Sequence, residues 1–352
     1  MNYLLGFGLA FAVTAAVTPL VRQIALRYGI VDRPSEARKI HRWPIAYLGG
    51  SAIFVGFLAA AAGLLPLSRQ LVALILGCVI LVVVGVLDDV RGLSPWTKLA
   101  AQFVAAGVAL AGGIGITAVT SPWGGVIDLS WGRIGVDVAG LHFHIMPIAN
   151  AISLLWMVGL ANTVNFLDGL DGLSSGVCGI AALIIFGLAV GPHVNQPVVA
   201  MLAIILAGAA LGFLPYHFYP ARIFMGDSGA YFLGLCLAML SIYSGAKLAT
   251  AVLVLGFPIL DAVWAVVRRL ARGVSPFKAD RGHFHHLLLD AGLSQRQAVL
   301  VMYVVSAALG LSALVLGTVA KLVVFGLLVV LMGVTIATLL RIGAQRRSVH
   351  RT

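Results

Sequence analysis

Eleven apolar stretches, each close to the length needed to cross a bilayer, constrain this chain more than any other feature. They run near 3–21, 48–66, 71–87, 99–117, 145–162, 173–191, 197–215, 228–244, 248–267, 297–317 and 322–340, separated by polar clusters. A helix of about 20 apolar residues spans the hydrocarbon core and satisfies its backbone hydrogen bonds internally. Of the 352 residues, 61% are hydrophobic and 10% charged, where soluble domains carry roughly 25% charged residues. A water-soluble core is excluded. The expectation is an all-α polytopic membrane protein, a single integral membrane domain over 1–352. The first stretch lacks a basic leader and a small-residue cleavage site, so it reads as a retained helix rather than a signal peptide. Cys78, Cys178 and Cys236 all fall inside apolar runs, at no metal or disulfide spacing, and read as packing residues.

Charge placement sets an orientation. With the N-terminus outside, the inside segments are 22–47, 88–98, 163–172, 216–227, 268–296 and the tail, and they carry 19 of the 23 Lys and Arg residues. The outside segments hold only Arg69, Arg133, Lys247 and Lys321. Lys and Arg gather on cytoplasmic loops, so the expected topology is N-out, C-in. The net charge of +11 then reflects topology, not a nucleic-acid partner. The acids follow the same division, which that rule does not require. Asp32, Glu36, Asp88, Asp89, Asp168, Asp171, Asp227, Asp280 and Asp290 lie inside, Asp261 lies near the inner end of the ninth stretch, and only Asp128 and Asp137 are external. Acids and bases concentrated on one face suit the handling of a metal ion and phosphates. The outer segment 118–144 alternates weakly through Val126, Asp128, Trp131, Arg133, Ile134 and Val136, which predicts a small β-hairpin that also takes in His142 and His144.

Five inner segments carry groups with chemistry. Gly85-Val86-Leu87-Asp88-Asp89-Val90-Arg91-Gly92 places two carboxylates directly after an apolar run, a costly position that usually signals function; a polar helix end at the headgroup layer is the bland alternative. Adjacent helix positions point about 100° apart, so one can act as a base while the other meets a metal or a basic side chain. In Asn162-Thr163-Val164-Asn165-Phe166-Leu167-Asp168-Gly169-Leu170-Asp171-Gly172, four polar side chains recur every three residues on one side of a turn. They suit a nucleotide, a sugar or metal-bound water; the calcium-loop pattern with its terminal Glu is absent. Asp227, in Phe224-Met225-Gly226-Asp227-Ser228-Gly229, precedes a new apolar run. It suits Mg²⁺, which takes few carboxylates and completes its shell with phosphate and water, and equally a helix cap. Lys278-Ala279-Asp280-Arg281-Gly282-His283-Phe284-His285-His286 offers Arg and His to a pyrophosphate. Its three histidines could also ligate zinc, a reading disfavoured without Cys and among so many carboxylates. The segment from Asp32 to His41 either marks topology and anionic-lipid contact or steers a polyanionic substrate. Asp261, three residues after Pro258, either acts directly or pairs with Arg268 or Lys278.

Together these segments resemble the polyprenyl-phosphate N-acetylhexosamine-1-phosphate transferase family, which includes MraY and the WecA and TagO enzymes. The likeness runs from about Val31 to Ser294. It is nearest to the WecA/TagO branch, because Phe284 interrupts the run of histidines carried by the MraY branch. The resemblance implies transfer of an N-acetylhexosamine-1-phosphate, GlcNAc-1-phosphate in the first instance, from a UDP-sugar to undecaprenyl phosphate with release of UMP. The resemblance also implies a requirement for Mg²⁺, with Mn²⁺ as the alternative metal. The reaction would occur at the cytoplasmic face of a bacterial inner membrane, as the first membrane step of a cell-surface polysaccharide such as O-antigen or teichoic acid.

The same resemblance assigns roles. Asp227 would hold the metal, Asp88 would deprotonate or orient the lipid phosphate with Asp89 assisting, and Phe224 would stack on uracil. Asn165, Asp168 and Asp171, with His217 and Arg42, would meet nucleoside or sugar. Arg281, His283, His285 and His286 would hold the diphosphate, and Lys39 and His41 would steer the lipid phosphate. Two departures leave the sugar open, to another UDP-N-acetylhexosamine or UDP-MurNAc-pentapeptide. His217 stands where the family usually has Asn, and Ala46-Tyr47 where many relatives carry a pair such as Pro-Arg. Membrane lipids are further partners, and a homodimer is left open.

The chemistry of such a transfer agrees: phosphate attacking phosphate is anion meeting anion, so positioning and charge neutralisation carry the catalysis. A CDP-alcohol phosphotransferase would need a compact Asp-Gly-x-x-Ala-Arg signature that Asp168-Gly169-Leu170-Asp171 does not supply. A transporter would place ionisable groups near mid-membrane, whereas the acids here gather at one surface.

Overall fold

Ser, Pro and Gly residues at the ends of the apolar runs decide where each helix starts and stops. The computed structural model describes residues 1–32, 44–138, 141–192, 194–243, 248–275 and 282–349. α1 (Tyr3–Arg27) opens on Asn2, whose side chain accepts the Leu5 N–H. α2 (Gly49–Leu64) and α3 (Arg69–Arg91) follow; Ser68 caps α3, and Gly92 at φ 67° ends it. α4 (Pro95–Ala111) has Pro95 behind a Ser94 cap. Then come α5 (Pro147–Leu167), α6 (Leu173–Val190), α7 (Pro197–His217) and α8 (Gly226–Tyr243). α9 (Leu248–Val254), α10 (Gly256–Ala271), α11 (Phe284–Asp290), α12 (Gln295–Val315) and α13 (Thr318–Val349) complete the helices. Ser294 and Gln297 close a capping box at the head of α12.

Among the described residues, eight helices are long and apolar enough to cross a membrane: α1, α3, α5, α6, α7, α8, α12 and α13. The chain is a helical, polytopic membrane protein. The other three expected stretches also fold as helix but differ in length. α2 has 16 residues and α4 has 17; α4 begins at Pro95 rather than 99, because Ser94 and Pro95 form a ready start, and it stops at Gly112. The ninth stretch is not continuous: it breaks at Leu255 into α9 and α10, with Gly256 and Pro258 in the first turn of the second piece.

The sheets are small, each of two strands. β1 (Val31–Asp32) pairs with β2 (Ile45–Ala46), β3 (Ala118–Thr120) with β4 (Val126–Asp128), and β5 (Ile134–Val138) with β6 (Leu141–Ile145), all antiparallel. Where the alternation predicts one hairpin over 118–144, two form, since glycines at 124, 125 and 132 with positive φ end each run early.

α8 is the central helix, buried along nearly its whole length. It packs between α3 and α5, while α7 packs against α1 and α6. Successive antiparallel crossings bring the ends of α3, α5 and α7 and the starts of α4, α6 and α8 to one end of the bundle. A second apolar cluster, including Leu167, Phe257, Phe284, Leu287 and Met302, seats α11 at that same end.

Candidate active site

α3 finishes on Asp88 and Asp89, and their carboxylates part as adjacent helix positions must. Asp88 Oδ1 accepts the Leu93 N–H at 2.6 Å, closing the turn into α4, while Oδ2 meets the Lys98 ammonium at 3.0 Å. Asp89 receives the head of α8 instead. Its Oδ1 accepts the Asp227 N–H and its Oδ2 the Ser228 hydroxyl, each at 2.9 Å. Unsatisfied N–H groups at a helix start favour such a carboxylate. The docking needs backbone contact between α3 and α8, and Gly85 leaves room for it: a Cβ there would stand 2.3 Å from Ser228 Cα. Asp227 then lies with Oδ2 2.9 Å from Lys98 Nζ and Oδ1 accepting from Asn165 Nδ2 at 2.8 Å. The side chains of Asp88, Lys98 and Asp227 stay 13%, 22% and 23% exposed, open to a ligand. One turn along α4, Gln102 exchanges two amide hydrogen bonds with Asn162 of α5, which fixes the spacing that lets Lys98 and Asn165 reach Asp227 together.

Past Asn165 the chain turns through 168–172 into α6. Asp168 accepts from the Ser174 hydroxyl. Burial, joined by the charges of Asp227 and Asp171, pushes the Asp168 carboxyl up to about 7 against the pull of that hydrogen bond. His217 is buried behind it, with Nε2 3.7 Å from the carboxylate and Nδ1 3.0 Å from Ser175 Oγ. That position supports Asp168 and leaves almost no surface for the sugar or nucleotide contact expected of it. Asp171 Oδ2 accepts the Ala221 N–H at 2.9 Å, tying the turn to the loop that leads to Phe224. Phe224 is held by backbone pairing: its N–H donates to the Ala46 carbonyl at 2.8 Å, and its carbonyl accepts the Gly49 N–H at 3.0 Å. The Tyr47 ring lies beside it, centroids 5.9 Å apart.

The three histidines are not equivalent. His283 is buried, with Nδ1 2.9 Å from Asp261 Oδ2 and Nε2 3.2 Å from Arg269 Nη2. Both nitrogens are engaged inside the protein, so His283 is not placed to hold a diphosphate itself. His285 is also buried, and burial first, then the neighbouring His286, pushes its pKa down to about 3. It is therefore a neutral ring. His286 is partly exposed beside it, centroids 4.4 Å apart. Lys39, His41, Arg42 and Arg281 lie outside the described residues.

A family profile described as glycosyl transferase family 4 matches residues 71–245, a span that includes Asp88, Asp89, Lys98, Asn165, Asp168 and Asp227. The chain is 34% identical over 310 residues to a probable undecaprenyl-phosphate N-acetylglucosaminyl 1-phosphate transferase of Bacillus subtilis (strain 168), covering 85% of this chain and 81% of the relative. It is 36% identical over 326 residues, 84% of this chain and 77% of the relative, to a decaprenyl-phosphate N-acetylglucosaminephosphotransferase of Mycobacterium tuberculosis. An undecaprenyl-phosphate alpha-N-acetylglucosaminyl 1-phosphate transferase of Thermotoga maritima is 29% identical over 272 residues, 77% of each chain. The chain belongs to glycosyl transferase family 4.

In this glycosyl transferase, Asp88 Oδ2 and Asp227 Oδ2 converge on one cation, the Lys98 ammonium. Two hard oxygens so placed also fit a divalent cation such as Mg²⁺. Among the described residues, no three His, Cys, Asp or Glu side chains are grouped to hold a metal. The protein would thus supply two carboxylates and leave the rest of a shell to substrate oxygens and water. Lys98 is the group that sequence reasoning misses, because it counts there only as one of many inner-side cations. A signal exists: a lysine in the first turn of a helix works against the macrodipole and so needs another partner.

Proposed function

We propose that this enzyme transfers GlcNAc-1-phosphate from UDP-GlcNAc to a polyprenyl phosphate, giving polyprenyl-diphosphate-GlcNAc and UMP, at the cytoplasmic face of the inner membrane. One observation carries the reading: Asp88, Lys98, Asn165 and Asp227, from four helices, meet at helix ends, in a chain whose relatives are named for this reaction. A lipid phosphate at headgroup depth reaches that level without leaving the bilayer. The distribution of 19 inner against four outer cations supports the orientation.

The lipid phosphate oxygen attacks the β-phosphorus of UDP-GlcNAc; the bond to the UMP oxygen breaks and UMP leaves. Asp88 accepts any proton on the incoming phosphate and orients it. Lys98 neutralises charge between the two anions. Asp227, with Asp88, would hold Mg²⁺, which when bound supplies charge neutralisation at the diphosphate. Asp89 keeps the head of α8, and so Asp227, in place. Phe224 and Tyr47 offer flat faces to uracil, while Asn165 and Asp168 face nucleoside or sugar. His286 and Arg281 serve the diphosphate.

The test uses purified protein in nanodiscs with Mg²⁺, undecaprenyl phosphate and a panel of UDP-N-acetylhexosamines. UMP release with lipid-linked GlcNAc, abolished by Asp227→Asn, is the expected result. Absence of any lipid-linked product across the panel would overturn the reading.

A further inference from the structure

The acid that lies deepest at this end of the bundle is not among the groups that face the opening. Asp261, on α10, is 2% exposed, and both its oxygens go to the start of α11. Oδ2 stands 2.9 Å from His283 Nδ1, and Oδ1 accepts the Phe284 N–H at 2.7 Å. Arg269, two turns further along α10 and 4% exposed, takes the opposite edge of the same imidazole, with Nη2 3.2 Å from Nε2. Its guanidinium also lies over the Phe166 ring of α5, 5.4 Å from the centroid.

A carboxylate accepts and a guanidinium donates, so only one form of His283 satisfies both: Nδ1 carries the proton and Nε2 accepts. The ring is fixed in tautomer and in tilt. Its orientation passes to the next histidine, since His283 and His285 stack nearly parallel, 10° apart with centroids 5.6 Å from one another. His285 is 1% exposed and has no hydrogen-bond partner at either ring nitrogen among the described residues. What holds it is shape. Its ring lies over Gly169, where a Cβ would stand 2.3 Å from Nε2. Gly169 follows Asp168 directly, so a tilt of His283 moves the stack against the turn that carries Asp168.

We propose that Asp261 is a positioning residue for the reaction. By fixing the tautomer and tilt of His283 it registers the histidine segment against the Asn165–Asp171 side of the site, and so places His286. The proposal rests on the transferase function given above. Asp261→Asn would keep an acceptor for the Phe284 N–H but turn an NH₂ toward Nδ1. That flips the tautomer and sets Nε2–H against Arg269.

The experiment takes the full chain in nanodiscs and measures hydrogen exchange by mass spectrometry alongside steady-state kinetics. In Asp261→Asn, amides of 283–290 should exchange at least about tenfold faster, with α3 and α8 unchanged. The kcat should fall about 10- to 100-fold, the range seen when groups orienting functional ligands are removed, with KM for undecaprenyl phosphate within about twofold. The loss should not multiply with that of His283→Gln, because both changes break one unit. Wild-type exchange or wild-type kinetics in folded Asp261→Asn, or losses that multiply, would overturn the proposal. If Asp261→Asn is not recovered folded, Asp261→Glu enters the same cycle with the same deciding outcomes. If the wild-type chain releases no UMP, the function fails, and the exchange arm still decides whether Asp261 holds the segment.

Discussion

Lys98 bridges two carboxylates from different helices that would otherwise repel one another, and it is the only basic side chain seen between them among the described residues. Replacing it by Met leaves shape and removes charge, so kcat should fall about 10²-fold, as when one preorganised electrostatic group is lost; UMP release measures it. Asp168 gives a pH signature. Its folded pKa of about 7 lies above the ordinary carboxylate value of 3.8, so the folded state binds the proton more tightly than the unfolded chain. The contribution to stability is full below about pH 4, declines as pH rises, and is gone above about 7. Asp168→Asn, which stays neutral, should therefore gain stability relative to wild type as pH rises from about 5 to about 8, reaching on the order of a few kcal/mol, with thermal melts across that range as the measurement. A gap that stays constant with pH would contradict this. At this scale the acids were legible in the sequence, because carboxylates beside apolar runs are costly and Asp88, Asp168 and Asp227 all stand there. The division among His283, His285 and His286 was not, since residue type says nothing of which ring nitrogen is already engaged.

Element by element, the helices could be read from the length of the apolar runs, and their ends less well. Caps decide the ends: Ser94 with Pro95 starts α4 early, and Gly256 with Pro258 restarts a broken ninth stretch as α10. That break matters, because α10 carries Asp261 and Arg269 to the histidine segment. The contact of α3 with α8 is the joint on which the site depends most. A methyl group at residue 85 meets Ser228 backbone, so Gly85→Ala should cost about 1–3 kcal/mol, the usual range for overpacking. It should also lower kcat, by shifting Asp89 from the N-terminus of α8. Thermal melts and UMP release together check this; a variant as stable and active as wild type would show the joint to be loose. The two hairpins between α4 and α5 were half legible: alternation pointed to strands, and glycine turns divided them.

For the whole molecule, alternating spans pointed to one shared end for Asp88, Asn165 and Asp227, and their helix ends do meet. The sequence could not tell that α8 lies at the centre, since helices apolar on all sides give no outward face to read. The proposed orientation has a direct check. Cys78, Cys178 and Cys236 are all buried, so a new surface cysteine reports alone. Tyr28→Cys should react with an impermeant maleimide only in inverted vesicles, and Trp123→Cys only in right-side-out ones; these side chains are 74% and 92% exposed. The proposed reaction needs a divalent cation held between helix ends by Asp227 and Asp88. Electron paramagnetic resonance of Mn²⁺ titrated into the nanodisc-embedded protein with UDP-GlcNAc measures that binding without turnover. One tightly bound Mn²⁺ per chain, lost in Asp227→Asn, is the predicted result; equal Mn²⁺ binding by wild type and Asp227→Asn would contradict it.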